Sequence, residues 1–400
     1  MIDNEECYRI SLHNKRILFG LTFGKYMYKS IDLVKRMCSC GANVSLILSS
    51  RLLERIDPSI IEYVTECPIL GIGLEPIDTS FLEEIDAMVV APADLEFISG
   101  IAYGVSVDDP LIKTAIAINS LEKPLAILPV IEWSLYNSLQ YRDLEDKLKN
   151  YNVYIIDPLV KNGELKYPPL GDLLYCISTL VERRKDLVGY NAIVTTGSTI
   201  EYLDPLRIIT NKYRGLVGLY IALELACRGS RVHLVYGPST IDPPYNVVNY
   251  PVETTHEMAA RIRSISEEVK PDIAVFAASP ADYRPISRSS EKISTRIGEV
   301  SIKLRPTVKT VKALRHKPRV SIGFAFEVVR DNSELIEKAK SKLEDYRFNI
   351  VVGINTLSRR GASSCIVKGD HVECFEDALE SMLARRIVDL VVEELESSKS

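Results

Sequence analysis

An α/β fold made of two Rossmann-like parallel-sheet domains is what this sequence predicts, and three observations carry that expectation. A strand–helix–strand pattern is written twice, once from Arg16 and again from Asn191. Further short apolar runs end at small or polar residues, as parallel strands buried on both faces do. Finally, 400 residues are more than a single hydrophobic core usually organises. In the first half, 16–20 reads as a strand, a helix runs through about Cys40 and stops at Gly41, and 43–48 is the second strand. The runs 88–92 and 125–129 continue that sheet. In the second half, 191–195 is a strand, a helix closes at Cys227-Arg228-Gly229, and 231–236 follows, with 273–277 and 349–352 as later strands. The charged cluster Glu182-Arg183-Arg184-Lys185-Asp186 separates the halves, which divides the chain into 1–186 and 187–400.

Composition narrows the functional classes. With 49 Lys+Arg against 54 Asp+Glu, a net charge of -5 provides no footprint for a nucleic-acid backbone or an anionic bilayer. No apolar run approaches the ~18 residues of a membrane span, and the acidic start Asp3-Asn4-Glu5-Glu6 lacks the order of a signal peptide. A cytoplasmic protein without nucleic-acid or membrane partners is therefore expected. The eight cysteines are scattered, and a chain this long can bury a core without disulfide staples. The one close pair, Cys38 and Cys40, sits at a helix end, where it reads as packing rather than zinc binding.

Ligands of open α/β sheets bind at the carboxyl ends of the strands, so the residues just after each strand matter most. Neither first strand is followed by G-x-G-x-x-G, which argues against a dinucleotide enzyme. Gly20-Leu21-Thr22-Phe23-Gly24 and Thr196-Gly197-Ser198-Thr199 are turns that could admit a phosphate or could be turns alone. The run from Asp204 to Gly218 concentrates Arg207, Asn211, Lys212 and Arg214 before an apolar helix. That describes an anion site, or else a solvated turn in which Asn211 caps the helix. Ala277-Ala278-Ser279-Pro280-Ala281-Asp282 places small residues and one carboxylate beyond a strand end, and Lys292 follows.

Together these segments resemble the ligase half of the bifunctional phosphopantothenoylcysteine decarboxylase/phosphopantothenate-cysteine ligase family of coenzyme A biosynthesis. That family writes T-x-G-x-T, D-P-V-R-x-I-T-N-x-S-S-G-x-M-G, A-A-V-A-D-[YW]-R-P, a lysine, and G-F-A-x-E. This chain has 195–199, 204–218, 277–285, Lys292 and 323–327 in the same order. It departs at Tyr213-Arg214, where two serines are usual, and at Arg305-Pro306-Thr307-Val308, which is nearer an archaeal K-P-T-P variant than N-P-D-I. The resemblance implies that the carboxylate of 4'-phosphopantothenate is joined to the amine of cysteine through an acyl-nucleotidyl intermediate, with Mg2+ and CTP or ATP. It implies Lys292 at the reacting phosphate, Asn211 on the activated acyl group and Arg207 nearby. Ala277, Ala278, Ser279, Asp282 and Phe324 then hold the nucleotide, with Lys338 and Lys342 on the triphosphate from a helix beginning near Ser333. No carboxylate cluster identifies magnesium ligands, and a homo-oligomer is expected.

The first half resembles the flavodoxin-like decarboxylase partner in outline. Gly20 to Lys29 stands where that half reads G-V-T-G-[GS]-I-A-A-Y-K, and Ala91-Pro92-Ala93 where it reads A-P-A-T-A-N-T. Asp94 and Glu96 then occupy positions of neutral residues that contact flavin. Asp78 aligns with the catalytic histidine, Pro129-Val130-Ile131-Glu132 replaces P-A-M-N, and 163–168 occupies the place of the proton-donating cysteine segment. Negative charge beside a flavin phosphate repels it, so FMN binding and decarboxylation are not expected. The alternative is a fully bifunctional enzyme in which Asp78 or Glu132 fills an altered role.

Overall fold

The computed structural model describes residues 12–71, 77, 79–106, 108–238, 241–356 and 363–397. It divides into two compact units, Met1–Asp186 and Leu187–Ser400.

The first unit is built on a six-stranded parallel sheet. Its strands are β1 (Arg16–Leu21), β2 (Asn43–Leu48), β3 (Ile69–Leu70), β4 (Ala87–Ala93), β5 (Leu125–Pro129) and β6 (Val153–Ile155), in the order β3-β2-β1-β4-β5-β6. Without the two-residue edge strand β3, the order is that of a flavodoxin sheet. Every residue of β4 is buried, which is why its sequence is an unbroken run of small and apolar residues. Helices return along both faces, several with a carboxylate at the N-cap: Asp57 before Pro58–Thr65, Asp94 before Leu95–Tyr103 and Asp109 before Pro110–Ser120. A small hairpin, β7 (Leu159–Lys161) and β8 (Glu164–Lys166), precedes the helix Leu170–Arg183.

In the second unit, β9 (Asn191–Thr196) starts an eight-stranded sheet, after which the hairpin β10 (Ile200–Tyr202) and β11 (Ile208–Thr210) leaves the sheet plane. The main sheet continues with β12 (Arg231–Tyr236), β13 (Val248–Pro251) and β14 (Ile273–Phe276). A second ribbon, β15 (Tyr283–Pro285) with β16 (Leu304–Pro306), comes next. The sheet is completed by β17 (Val320–Glu327), β18 (Ile350–Asn355), β19 (Ser364–Lys368) and β20 (His371–Phe375). The order is β13-β12-β9-β14-β17-β18-β19-β20. The first six strands are parallel, as expected, but β19 and β20 pair antiparallel, so this sheet is mixed. Cys365 and Cys374, opposite each other in that hairpin, form a disulfide. The expectation of a staple-free core is corrected here, because strand register sets Cys374 opposite the fully buried Cys365.

The helix Leu216–Cys227 is apolar on all sides and almost wholly buried, packing against Glu380–Ser397. Its one internal carboxylate, Glu224, lies between Arg228 (3.8 Å) and Arg385 (3.9 Å), and Arg228 also pairs with Asp389 at 2.6 Å. Such a buried charge is tolerated because it is paired. Among the described residues, no helix is long and apolar enough to cross a membrane.

Candidate active site

The carboxyl ends of β9, β14 and β17 converge on a cleft of about 250 Å³. Close approach of backbone shapes the strand end behind it. Gly215, with φ +81°, opens the helix Leu216–Cys227, and its carbonyl accepts a 2.7 Å bond from Thr196 Oγ1. A Cβ on Gly218 would lie 2.3 Å from the same hydroxyl oxygen, so only glycine lets this helix start against the end of β9. Asn211 caps no helix. Its Nδ2 donates to the Ser279 and Pro280 carbonyls and to Ser279 Oγ at 3.0–3.2 Å, tying the turn after β11 to the lip of the cleft.

Asp204 organises the segment that carries Lys292. This fully buried carboxylate accepts the backbone N–H groups of Leu206 (2.7 Å), Arg207 (2.8 Å) and Ile293 (3.1 Å), and Arg207 Nη1 at 2.6 Å. Burial opposes its charge, but these four bonds outweigh burial and hold the carboxyl well below the usual range. Arg207 Nη1 also donates to the Ile293 carbonyl at 2.9 Å. The Ser289 N–H donates to Leu203 O at 2.9 Å, so the segment around Lys292 is clamped on both sides. Lys292 itself is exposed, with no ion pair or hydrogen bond among the described residues.

Of the residues expected to hold a nucleotide, Ala278, Ser279, Asp282, Phe324 and Lys342 line the cleft. Ala277 lies behind its wall, fully buried, with its N–H on Thr195 O at 3.1 Å. Lys338, Lys292 and Asn211 are exposed and Arg207 is half-buried, and all four lie outside the lining. Lys342 donates to the Phe324 carbonyl. Burial pushes its ammonium below the usual lysine range, opposed by the charge of Glu327 and reinforced by that of Lys309.

Sequence reasoning missed Lys309, which lines the cleft and pairs with Asp282 at 2.8 Å. The bond to Asp282 raises its pKa. It also missed Thr307, whose Oγ1 donates to Ala281 O at 2.6 Å, and the aromatic wall of Tyr346 and Phe348. The available signal was the Arg305–Val308 segment, which ends one residue before Lys309. Among the described residues, no three His, Cys, Asp or Glu side chains are grouped to hold a metal.

At the carboxyl edge of the first sheet, Asp94 accepts the Phe97 N–H at 2.9 Å. Asp109 accepts those of Ile112 (3.0 Å) and Ser50 (2.9 Å). Burial raises the Asp94 pKa, against the Phe97 bond, and Glu96 adds to the rise. The space left among Ser49, Arg51, Asp94, Glu96 and Asp109 is about 10 Å³, enough for a water and not for a phosphate. Glu132 is exposed at the start of the helix Trp133–Tyr136 and makes no capping bond. Asp78 lies outside the described residues. By contrast, Met27–Ser39 begins without a side-chain cap or an acidic residue in its first turn.

Residues 187–394 match the family of the DNA/pantothenate metabolism flavoprotein C-terminal domain, and residues 6–182 match the flavoprotein family. The coenzyme A biosynthesis bifunctional protein CoaBC of Thermococcus kodakarensis is 28% identical over 399 residues, covering 96% of each chain. Its namesake in Methanocaldococcus jannaschii is 26% identical over 359 residues, covering 87% of this chain and 85% of that protein. A crystal structure of the C-terminal domain of a CoaBC protein shares 28% identity and covers 53% of this chain and 99% of that one, with a TM-score of 0.45. With the C-terminal domain family spanning just over half of its length and the flavoprotein family most of the remainder, the chain belongs to the bifunctional coenzyme A biosynthesis family, as an enzyme with a flavoprotein unit and a ligase-type unit.

Proposed function

We propose that the chain is a phosphopantothenate-cysteine ligase, and one observation carries the reading. The β10–β11 hairpin holds Arg207 at one end, fastened to the Lys292 segment, and Asn211 at the other, fastened to the lip of the cleft. These bonds support a reading in which the five motifs serve a single site. In the first step a carboxylate oxygen of 4'-phosphopantothenate attacks the α-phosphorus of CTP or ATP and pyrophosphate leaves. In the second, the amine of cysteine attacks the activated carbonyl and the nucleoside monophosphate leaves. Both steps need charge neutralised and reactants aligned more than they need a general base. Lys292 supplies free positive charge at the reacting phosphate, and Asn211 supplies an amide beside the acyl group. The geometry of Arg207 makes it a positioning residue, since its guanidinium is committed to Asp204 and Ile293. Ala278, Ser279, Asp282 and Phe324 form the nucleotide wall, Lys342 and Lys309 face the phosphates, and Lys338 lies one turn earlier on the helix that carries Lys342. Mg2+ arrives as part of the nucleotide substrate. A cytoplasmic homo-oligomer belongs to the same reading, and Tyr283, Ile286 and Leu304, exposed on and beside the β15–β16 ribbon, favour a covering copy.

FMN does not fit the β4 edge, where the N–H groups that would receive a phosphate already bind Asp94 and Asp109. The bifunctional reading is favoured by the uncapped start of Met27–Ser39, between Lys25 and Lys29. One experiment addresses both readings. Purified protein should release pyrophosphate from CTP or ATP only when 4'-phosphopantothenate is present, form the amide on addition of cysteine, and show no flavin absorbance. Failure with both nucleotides refutes the ligase. A flavin spectrum bleached by 4'-phosphopantothenoylcysteine, with carbon dioxide released, establishes the second activity.

A further inference from the structure

The helix Met27–Ser39 carries Cys38 in its last turn, and the helix Pro58–Thr65 leads into Cys67, two residues before β3. The two sulfurs are 3.3 Å apart. Both side chains are free thiols, Cys38 half-buried and Cys67 buried. They also differ chemically. A hydrogen bond from the Cys67 thiol lowers the Cys38 pKa to about 7, against burial and the charge of Glu66. The same bond, together with burial, drives the Cys67 pKa up. Cys38 is thus the accessible nucleophile and Cys67 a sheltered second thiol.

We propose that Cys38 and Cys67 form a redox-responsive thiol pair that small-molecule disulfides oxidise to an intramolecular disulfide. The Cys38 thiolate attacks one sulfur of the small disulfide, which breaks its S–S bond, releases one thiolate and leaves a mixed disulfide on Cys38. Cys67 then gives up its proton to the released thiolate, attacks Cys38 Sγ and expels the second small thiol. Two protein thiols are oxidised, and one disulfide is reduced to two thiols. The sulfurs need approach by only about 1.3 Å to reach bonding distance. The bond closes a loop across 29 positions that includes β2 and ends beside the edge strand β3, the sheet margin most in need of restraint.

The test uses the full chain, incubated in graded ratios of glutathione disulfide to glutathione, alkylated, digested and mapped by mass spectrometry. A peptide joining Cys38 to Cys67 should replace the two alkylated peptides as the ratio rises. Cys67→Ser should accumulate glutathione on Cys38, and Cys38→Ser should leave Cys67 unmodified. Oxidation should raise the thermal midpoint of the parent by about 5–10 °C beyond any change in Cys38→Ser under the same conditions. Alkylation of both thiols at every ratio, or linkage of Cys38 to a different cysteine, overturns the proposal.

Discussion

Gly323→Ala tests whether the cleft is shaped by backbone contact. A Cβ at this position would lie 2.3 Å from Phe348 Cε2, 2.5 Å from Cδ2 and 2.9 Å from Cζ. Carbon atoms rest about 3.5 Å or more apart, so the ring must retreat by about 1.2 Å. It is flanked by Phe276 and Tyr346, with ring centroids at 5.9 and 5.8 Å, which leaves the cleft it lines as the open direction. Overpacking of this kind costs about 1–3 kcal/mol, or roughly 2–12 °C in the midpoint of a domain of this size. The ring's movement into the cleft should raise the nucleotide KM several-fold, with a smaller change in kcat. Adding Phe348→Leu, which removes two of the three crowding atoms, should restore both quantities in part. Scanning calorimetry and pyrophosphate-release kinetics on the two single variants and the double variant provide the cycle. Strictly additive effects, or an unchanged KM in Gly323→Ala, would refute the reasoning.

Two further outcomes follow from the clamp around Lys292. Lys292→Ala should slow nucleotidyl transfer by about 10²–10³-fold and leave the thermal midpoint within a degree or two, because the side chain is exposed; wild-type turnover would make Lys292 an ordinary surface lysine. Asp204→Asn should impair both activity and stability at pH 7, since the amide nitrogen cannot accept the bonds that fix Ile293. Because the folded pKa of Asp204 is depressed below its unfolded value near 3.9, its stabilisation is present above about pH 4 and fades as pH falls through the folded value. The difference in thermal midpoint between parent and variant should therefore narrow below pH 4, and a constant difference across the acid range would contradict the assignment.

The parallel strands were legible because burial on both faces leaves uninterrupted apolar runs, such as those of β4 and β14, between small or polar residues. The hairpin β19–β20 was not, because Ser364, Cys365, His371 and Glu373 present neither a long apolar run nor a clear alternation. Its disulfide depends on register, which spacing alone does not specify. Asp282 and Phe324 were singled out through their motifs and Lys342 through its place on a helix, and all three line one cleft. Lys309 was passed over because an isolated lysine in a loop is uninformative until its partner, 27 positions earlier, is brought beside it. Asn211 was open to two readings for a related reason. A polar residue shortly before a helix fits a cap, whereas here Gly215 in a left-handed conformation begins the helix and Asn211 turns to another loop.

The two units apply the same physics in opposite directions. Strand ends beside helix N-termini provide unpaired N–H groups, and a fold can leave them open for a ligand or satisfy them itself. At the β4 edge, Asp94 and Asp109 take those groups. Each such cap is worth about 1 kcal/mol of stability and removes an anion site. Around β9 the arrangement is reversed: the helix Leu216–Cys227 starts at a glycine without a side-chain cap, and Asp204 spends its charge on the turn and on Arg207. The carboxylate that could have closed the second site instead fixes the segment carrying Lys292. Disposition of carboxylates, more than sheet topology, therefore decides which strand-end N–H groups each unit leaves unsatisfied: those at the β4 edge are taken by Asp94 and Asp109, whereas the starts of Met27–Ser39 and Leu216–Cys227 carry no side-chain cap.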